Sequence, residues 1–590
     1  MPLAFVAALA LFALLPSVRQ QPALMHSLLG TAALLAVWGL ALLLTAKGRH
    51  RLLVLEVVLR KQHYLQACAH LSIFAYWGWY WPEVYESAHL IAAQLAFAYA
   101  FDMLLAWSRR ETYTFGFGPF PIIFSTNLFL WFKPDWFYLQ FLMIATGFAA
   151  KEFIRWKKDG RLVHIFNPSS LPLFLASLAL ILTDSTSITW GQEIAFTFER
   201  PPYILLWIFL AGLPGQFLFG VVTMTLSAVT TVFAFGLAYY GIFGTHFFVE
   251  GFIPAAVFLG MHLLFTDPST APRSEQGRII FGILYGLAVV SLYTVLGLFG
   301  VPTFYDKLLA VPLLNLSVQF IDRTVASGAL RSLDPARLGR ALVGRRRNLA
   351  YIAVWALVFV AMSDPLEAYR PRRWVPLWEQ ACQEDRRNAC SVLSRIELRY
   401  CNQGSGWACN ELGILEMTGR VAPKLREKAF QLACARGSNA GCENRALAYT
   451  ASGSSAQVPY RHAPPNASEY RILLQEAKGT LDGISEAELF DAACRQGWSD
   501  GCSRAADSFM QAGSPAHDVG RGIAALERAC ALNSLQACAD LGTFQLGGDG
   551  LPRDPEKGRL NLKRACDGGL REACSGGAVT PALSAPGTGG

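Results

Sequence analysis

Long apolar runs occupy the larger part of this chain, from Met1 to about Asp364. Many are close to the roughly 20 residues that a helix needs to cross the hydrocarbon core of a bilayer. A helix can cross because it satisfies its own backbone hydrogen bonds, which an isolated strand cannot do. The sequence therefore predicts an all-α polytopic membrane domain over residues 1–364.

The composition agrees with this prediction, since 53% of the residues are hydrophobic and only 16% are charged. Such values are unusual for a soluble protein. We predict about 13 spans, several of them shorter than the usual length. They cover residues 2–18, 28–46, 63–81, 88–107, 116–132, 135–152, 168–184, 203–220, 221–243, 252–266, 278–299, 302–320 and 350–363.

The basic residues of the short loops indicate sidedness, because loops rich in Lys and Arg are retained in the cytoplasm. If the N-terminus is cytoplasmic, loops on that side contain 21 basic residues and the opposite loops contain four. This topology places the C-terminal part outside, after a basic loop that ends at Arg345–Arg347. We therefore expect a protein of the bacterial inner membrane with a periplasmic C-terminal domain. The cytoplasmic loops also explain the net charge of +8, so nucleic acid is not a predicted partner.

Twelve of the 13 cysteines lie in the C-terminal part, and all twelve form pairs with the spacing C-x7-C. Zinc sites usually have closer spacing and histidine partners, and redox-active dithiols usually have the spacing C-x-x-C. Neither pattern accompanies these pairs, so six structural disulfides are predicted, which persist in an oxidising compartment. The predicted pairs are Cys382 with Cys390, Cys401 with Cys409, Cys434 with Cys442, Cys494 with Cys502, Cys530 with Cys538, and Cys566 with Cys574.

The last three pairs recur every 36 residues, a period typical of helix–turn–helix solenoids. This region resembles the cysteine-rich Sel1-like repeats, relatives of the tetratricopeptide family, in its alanine-rich helices and in the loop LGGDGLPRDPEKG. The resemblance implies that residues 365–578 form a disulfide-stapled α-solenoid that binds other proteins. Residues 579–590 have the composition of a disordered tail.

Charged residues within spans are costly and are therefore candidates for an ion or proton path. The deepest are Asp102 and Glu250, although each could instead pair with a neighbouring helix or lie at a span end. His70, His89 and His262 also lie in or near spans. No i, i+4 spacing pairs these histidines, so packing is the favoured interpretation and no metal site is predicted.

Two Pro-containing strings at span edges are more informative, namely HIFNPSSLPLF at 164–174 and HLLFTDPSTAPRSEQGRIIFGILYG at 262–286. Proline interrupts a helix, and the polar residues beside it can cap the next helix or bind a ligand. Free N–H groups at a helix start also suit an anionic group such as phosphate. Capping alone would explain Asn167, Asp267, Ser269 and Thr270. The candidate cofactor-binding residues are Asn167, Pro168, Ser169, Asp267, Pro268, Ser269 and Thr270.

These strings resemble those of the NqrB/RnfD membrane subunits of sodium-pumping NADH:quinone reductase and of Rnf electron-transport complexes. That family has an F-N-P-[AS] string at a helix start, which corresponds to Phe166–Ser169. It also has a string similar to T-D-P-x-[ST]-[AS]-P followed by G-[RK]-x-I-[FY]-G, which corresponds to Thr266–Gly282. The order and the separation agree, and the resemblance covers roughly residues 60–320.

The resemblance implies that electrons pass through flavins within the membrane and that this transfer is coupled to ion movement. Family members attach FMN through its phosphate to a Thr in a string similar to D-G-x-S-G-A-T. The counterpart here, Met224–Thr230, keeps Ser227 and Thr230 but lacks the Asp and both Gly residues. Glycine allows close approach of a backbone to phosphate. We therefore expect FMN, riboflavin or a quinone to bind without a covalent bond to Thr230.

The leading hypothesis is a membrane subunit of an ion-translocating electron-transport complex with an exported domain that docks a partner protein. The chain has no dinucleotide fingerprint and no iron–sulfur cysteine cluster, so it would depend on other subunits and would not be a complete enzyme alone. The alternative is a non-redox transporter or membrane scaffold that reuses the fold without a flavin, because fold does not determine function.

Overall fold

The chain is 73% helical in a computed structural model, and its described strands form two two-stranded ladders, which confirms the all-α prediction. The predicted tail at 579–590 and most of the basic loop before Arg345 lie outside the described residues. Two compact units are present, Met1–Ala238 with Glu250–Ala368 and Tyr239–Val249 with Tyr369–Gly590. The structure describes residues 1–48, 54–158, 160–302, 304–328, 344–368, 374–425, 427–451, 459–474, 481–548 and 552–574.

The first unit is built mainly from helices, several of which begin at proline. Proline is favoured at the first turn because its fixed φ suits a helix and its missing N–H would have no partner there. The α-helices are α1 (Pro2–Phe12), α2 (Pro16–Arg19), α3 (Pro22–Gly48), α4 (Lys61–Tyr80), α5 (Glu83–Glu86), α6 (Ala88–Arg109), α7 (Pro119–Asn127), α8 (Phe137–Phe153), α9 (Ser170–Leu182), α10 (Gly191–Thr197), α11 (Ile204–Phe219), α12 (Val222–Phe243), α13 (Ala255–Leu259), α14 (Glu275–Leu298), α15 (Asp306–Ala326) and α16 (Arg345–Ala368).

Six of the described helices, α3, α6, α12, α14, α15 and α16, are long and apolar enough to cross a membrane. They indicate that the protein is associated with a membrane. Shorter apolar helices occupy other predicted spans, including α1, α9 and α11. Helix α7 has nine residues and extends only about 14 Å. The predicted span at 116–132 is therefore not one continuous helix.

Helix α13 continues directly into a single π-helical turn, Gly260–Leu264. The N–H of Phe265 closes this turn on the carbonyl of Gly260 at 3.1 Å. A π-helical turn accommodates an extra residue and often occurs at functional sites. This one immediately precedes Thr266 and Asp267, so it determines how the second string leaves the helix.

Two short ladders connect helices at the loops. Strands β1 (Val54–Val57) and β2 (Thr112–Phe115) pair in parallel. Strands β3 (Arg155–Lys158) and β4 (Arg161–His164) form an antiparallel hairpin, with Gly160 in the left-handed region at φ 70°. The hairpin follows α8 and ends at His164, where the first Pro-containing string begins.

Helices α12 and α14 pack very closely. A Cβ at Gly282 would lie 2.1 Å from Ser227 Oγ and 2.3 Å from the carbonyl oxygen of Met224. A Cβ at Gly286 would lie 3.0 Å from the carbonyl oxygen of Ala228. Small residues allow this contact because they let two helix backbones approach each other. The segment Met224–Thr230 is therefore packed against a neighbouring helix along part of its length.

The second unit consists of shorter helices, and each consecutive pair joined by a disulfide packs together. The stretch Tyr239–Val249 also belongs to this unit, where the indole N–H of Trp378 donates to the carbonyl oxygen of Val249 at 3.3 Å. The remaining helices are α17 (Trp374–Gln383), α18 (Ala389–Asn402), α19 (Gly406–Met417), α20 (Glu427–Ala435), α21 (Asn439–Ala451), α22 (Ala467–Leu473), α23 (Glu486–Arg495), α24 (Ser499–Met510), α25 (Val519–Ala531), α26 (Leu535–Gly547), α27 (Pro555–Asp567) and α28 (Arg571–Cys574).

All six predicted disulfides are present, which confirms the pairing by C-x7-C spacing. In each, the first cysteine lies near the end of one helix and the second lies in the next helix. The turns between them use left-handed residues such as Asn533 at φ 67° and Gly569 at φ 108°. Among the described residues Cys68 is the free cysteine, and it is exposed.

The residues that precede the paired cysteines explain how the helices come close enough to be joined. A Cβ at Gly441 would lie 2.4 Å from the Cβ of Ala433, and a Cβ at Gly501 would lie 2.7 Å from that of Ala493. Each glycine and each alanine directly precedes one cysteine of a pair. Small residues at these positions therefore allow the two sulfurs to meet across the turn.

Candidate functional site

The two Pro-containing strings line one cavity of about 410 Å³ in the first unit. This volume lies within the range of small-molecule and cofactor sites, roughly 300–1,000 Å³. Six of the seven string residues predicted to bind a cofactor contribute to its wall. They are Asn167, Pro168, Ser169, Asp267, Pro268 and Ser269.

Asn167 connects the first string to helix α9 and to the π-helical turn that precedes the second string. Its Oδ1 accepts hydrogen bonds from the backbone N–H groups of Ser169 at 2.8 Å and Ser170 at 3.2 Å, which caps the start of α9. Its Nδ2 donates to the carbonyl oxygen of Leu264, 2.8 Å away in the π-helical turn. Asn167 therefore caps a helix, as the simpler interpretation predicts, and also ties the two strings together.

Helix α8 approaches the first string at Gly147. A Cβ at this position would lie 2.4 Å from the carbonyl oxygen of Pro168 and 3.1 Å from Cγ of Pro172. A larger residue would push the string away from α8. Lys151 lies one turn further along the same helix face and also lines the cavity.

Asp267 links the second string back to the first. Its Oδ1 accepts a hydrogen bond from the N–H of Ser269 at 2.9 Å, and its Oδ2 lies 3.2 Å from Nε2 of His164. Burial raises the pKa of Asp267, but the hydrogen bond and charge of His164 and the donors of Ser269 outweigh it. The pKa of Asp267 is thereby held below its usual range, so the carboxylate is ionised at neutral pH.

Asn315, in α15, joins the strings through their backbones, and it was not among the predicted site residues. This side chain is fully buried. Its Oδ1 accepts from the N–H of Asn167 at 3.2 Å, and its Nδ2 donates to the carbonyl oxygen of Thr270 at 3.3 Å. The sequence signal that could have identified Asn315 is a polar side chain within an apolar helix, because burying such a side chain is costly unless it has hydrogen-bond partners.

The other charged groups around the cavity are mainly cationic. Arg60 precedes α4 and Lys151 lies in the last turn of α8, and both of these cations line the wall. Asp267 is the one carboxylate among the described lining residues, and His164 pairs with it. The cavity therefore suits a ligand that carries an anionic group such as phosphate or carboxylate.

Thr270 and Thr230 do not line this cavity. The buried side chain of Thr270 donates to the carbonyl oxygen of Asp267 at 3.3 Å. The hydroxyl of Thr230 donates within α12, to the carbonyl oxygens of Leu226 at 2.7 Å and Ser227 at 3.2 Å. The candidate flavin-attachment residue is therefore separate from the cavity that the strings form.

Asp102 and Glu250, the candidates for an ion path, are both half-buried. Asp102 lies within α6, and Glu250 lies in a turn before α13. Neither lines the cavity of the two strings. Their role in ion movement stays a prediction.

His70 and His262 are buried, and each has a ring nitrogen close to a backbone carbonyl oxygen one turn earlier in its helix. The ring of His70 lies 2.6 Å from the carbonyl oxygen of Gln66 and 2.9 Å from Ser125 Oγ. Nδ1 of His262 lies 2.8 Å from the carbonyl oxygen of Phe258. These contacts fit the packing interpretation of both residues.

A second cavity, of about 250 Å³, lies at the opposite ends of helices that also border the first. Arg60, just before the start of α4, lines the first cavity, and Trp81, just after its end, lines the second. Helix α8 begins at Phe137 in the second cavity and reaches Lys151 in the first. Since the 20 residues of α4 extend about 30 Å, the two cavities lie at opposite faces of this helical layer.

The second unit contains a separate cluster of carboxylates on three successive helices, Glu379 in α17, Glu397 in α18 and Glu411 in α19. Burial and the charge of Glu411 raise the pKa of Glu379 to about 8. Burial and the charges of Glu411 and Glu379 raise the pKa of Glu397 well above its usual range. Nδ1 of His462 lies 2.5 Å from Oε2 of Glu411, and this contact raises the pKa of His462.

The second unit is expected to lose stability as the pH rises from about 4.5 to 8. In this window Glu379 and Glu397 stay protonated in the folded chain but ionise in the unfolded chain, so the folded state binds more protons. His462 has the same sign, because its raised pKa adds stability that is lost as the pH passes through it. Thermal unfolding of this unit, followed from pH 5 to pH 8, measures the effect.

Glu397→Gln should flatten the pH dependence, because the amide stays neutral in both states. Glu527→Gln is the matched control, since Glu527 is exposed in α25 and outside the cluster. Equal slopes for the two variants and the parent chain would contradict the assignment of the pH dependence to this cluster.

No protein-family model matches the chain, and no curated protein matches it significantly.

Proposed function

We propose that this chain is a membrane subunit of an ion-translocating electron-transport complex and that the first cavity binds a flavin. The observation that carries the proposal is the meeting of the two strings in one cavity. Simple capping at two separate span edges does not require this meeting. The cations Arg60 and Lys151 and the hydroxyl of Ser169 would hold the phosphate of FMN or the polar side chain of riboflavin.

The donor set fits this class of ligand. The wall combines two fixed cations with His63, hydroxyl groups and apolar residues such as Ile122 and Leu263, as cofactor sites commonly do. A bound flavin would supply the electron transfer, since it accepts and releases electrons singly or in pairs. The protein would position the ring and neutralise the anionic end.

A bacterial inner-membrane topology with a cytoplasmic N-terminus is part of the proposal. The lining of the first cavity comes from loops and helix ends that the charge rule assigns to the cytoplasm. The lining of the second comes from loops and helix ends assigned to the outside. A different assignment of loops to the two sides would mix them between the cavities, so the sorting supports the proposed alternation of spans. The orientation itself rests on the excess of Lys and Arg in the loops assigned to the cytoplasm.

The second unit is proposed to be an exported α-solenoid of Sel1-like helix–turn–helix repeats. The support is a set of six disulfides, each across the turn between two consecutive helices, together with the packing of those two helices on each other. Disulfides persist in an oxidising compartment, which agrees with a periplasmic location. Solenoids present extended surfaces that bind proteins, so this unit would dock a partner of the membrane complex.

A non-redox transporter or scaffold is the second candidate, and the position of Thr230 favours it. The hydroxyl of Thr230 is bonded within its own helix and lies outside the cavity. A chain that had lost covalent FMN would present this arrangement.

Purified full-length protein is expected to contain flavin, visible in its absorption and fluorescence, and to release it on acid precipitation. Lys151→Gln should reduce flavin content because it removes a cation from the cavity. Lys157→Gln is the matched control, since Lys157 is exposed in β3 and does not line the cavity. Colourless protein would support the transporter or scaffold, and flavin that stays attached in acid would contradict non-covalent binding.

A further inference from the structure

The second cavity differs from the first in both charge and lining. Its ionisable lining residues are Glu83, Glu86 and His89, and no Lys or Arg occurs among the described residues that line it. Carboxylates at one face and cations at the other indicate that the two cavities accept ligands of opposite charge.

Tryptophan rings form much of the wall. Trp81 and Trp131 are stacked with centroids 5.5 Å apart and an angle of 12° between their planes. Trp190 meets Trp81 edge-on at 6.4 Å. Lys133 already places its ammonium nitrogen 5.1 Å from the centre of the Trp190 ring, so this aromatic wall holds a cation favourably. Even with Lys133 counted, the two carboxylates leave the region net negative.

Buried polar groups give the cavity a rigid inner end. Gln94 and Asn127 exchange two amide hydrogen bonds, at 3.0 and 2.7 Å. Gln140 donates to Gln94 at 3.1 Å and accepts from the N–H of Phe132 at 3.1 Å. These side chains are almost completely buried, and their mutual bonding fixes the shape of the cavity before any ligand arrives.

Glu83 supplies a carboxylate oxygen that could accept a hydrogen bond from a ligand. Its Oε2 is shielded from solvent and has no hydrogen-bond partner among the described residues. A buried carboxylate oxygen without a donor is costly, and a charged N–H donor is its strongest partner. A quaternary ammonium has no N–H to donate, whereas a protonated amine has up to three.

We propose that the second cavity binds a protonated organic amine, with its ammonium group on Glu83 and its apolar part against the tryptophan rings. The amine could be a free small molecule or the headgroup of an aminophospholipid, since the cavity lies at one face of the helical layer. The site does not depend on flavin in the first cavity.

Phenethylamine is a suitable probe, because 2-phenylethanol has the same shape without the charge. Calorimetric titration of full-length protein in phosphatidylcholine nanodiscs is expected to give at least about tenfold tighter binding of the amine. Glu83→Gln should bring the amine to the level of the alcohol. Glu111→Gln, an exposed carboxylate outside the cavity, should leave the difference unchanged.

Equal binding of amine and alcohol by the parent protein would overturn the proposal, and so would full amine affinity in a folded Glu83→Gln variant. Nanodiscs that contain phosphatidylethanolamine distinguish the two sources. Weaker phenethylamine binding there would identify a lipid headgroup as the competing amine, and unchanged binding would identify a free amine.

Discussion

Reduction of the six disulfides is expected to unfold the second unit while the first unit stays folded. Each bond closes a loop with a sequence separation of eight residues. The chain-entropy estimate for such a loop is about 2.5 kcal/mol. Six such contributions are comparable with the entire stability of an ordinary domain, about 5–15 kcal/mol. Hydrogen exchange of the full-length protein with and without reductant should show increased exchange in the second unit, from α17 to α28, and no increase in the first.

The first unit provides the internal control, because its cysteine, Cys68, is not in a disulfide. Cys68→Ser should therefore leave the exchange pattern unchanged. Replacement of Cys530 and Cys538 together by alanine should lower the stability of the second unit by about 2–3 kcal/mol. Unchanged protection under full reduction would mean that helix packing alone maintains this unit.

Asn315→Leu is expected to separate the two strings and to weaken ligand binding in the first cavity strongly. Leucine has the same number and branching of side-chain heavy atoms as asparagine and favours a helix, but it removes both hydrogen bonds, leaving the N–H of Asn167 and the carbonyl oxygen of Thr270 without this partner. Each buried group that loses its partner costs about 1–3 kcal/mol. Because 1.4 kcal/mol is about a tenfold change in affinity, flavin content should fall at least tenfold.

Ser317→Ala is the matched control in the same helix, since the Ser317 hydroxyl donates only within α15, to the carbonyl oxygen of Leu314 at 2.7 Å. Hydrogen exchange at residues 166–171 and 266–271 gives a measurement that does not require flavin. Exchange at both strings should increase in Asn315→Leu and stay constant in the control. Equal exchange in the two variants would show that Asn315 is not the connection between the strings.

The parts of this fold that sequence predicts well depend on local patterns. A run of apolar residues must be buried in lipid or protein wherever it occurs, and six long apolar helices were found where spans were predicted. The six disulfides could also be predicted from the C-x7-C spacing, because the two cysteines of each pair are separated by a single turn. The short helix α7 was not foreseen, since hydropathy alone does not reveal where a helix ends within an apolar run.

The candidate site could be predicted only in part, because a cavity is formed by residues that are distant in sequence. The two strings carried local signals in their prolines and polar residues, and six of the residues predicted to bind a cofactor were found in the wall of one cavity, although their binding role stays a prediction. Asn315 and Gly147 act through contacts with distant segments, which no local pattern encodes. The inclusion of Tyr239–Val249 in the second unit is likewise a property of the folded chain alone.

The π-helical turn at Gly260–Leu264 has a consequence for how this chain can vary among relatives. An α-helix turns about 100° per residue, so the direction in which Asp267 leaves the helix depends on the number of residues before it. Deletion of one residue from the turn would restore a regular helix and rotate the Asp267 carboxylate by about 100° away from His164. Substitutions in this segment can be accommodated by repacking, but a change in its length cannot. Natural variation here should therefore preserve spacing more strictly than residue identity.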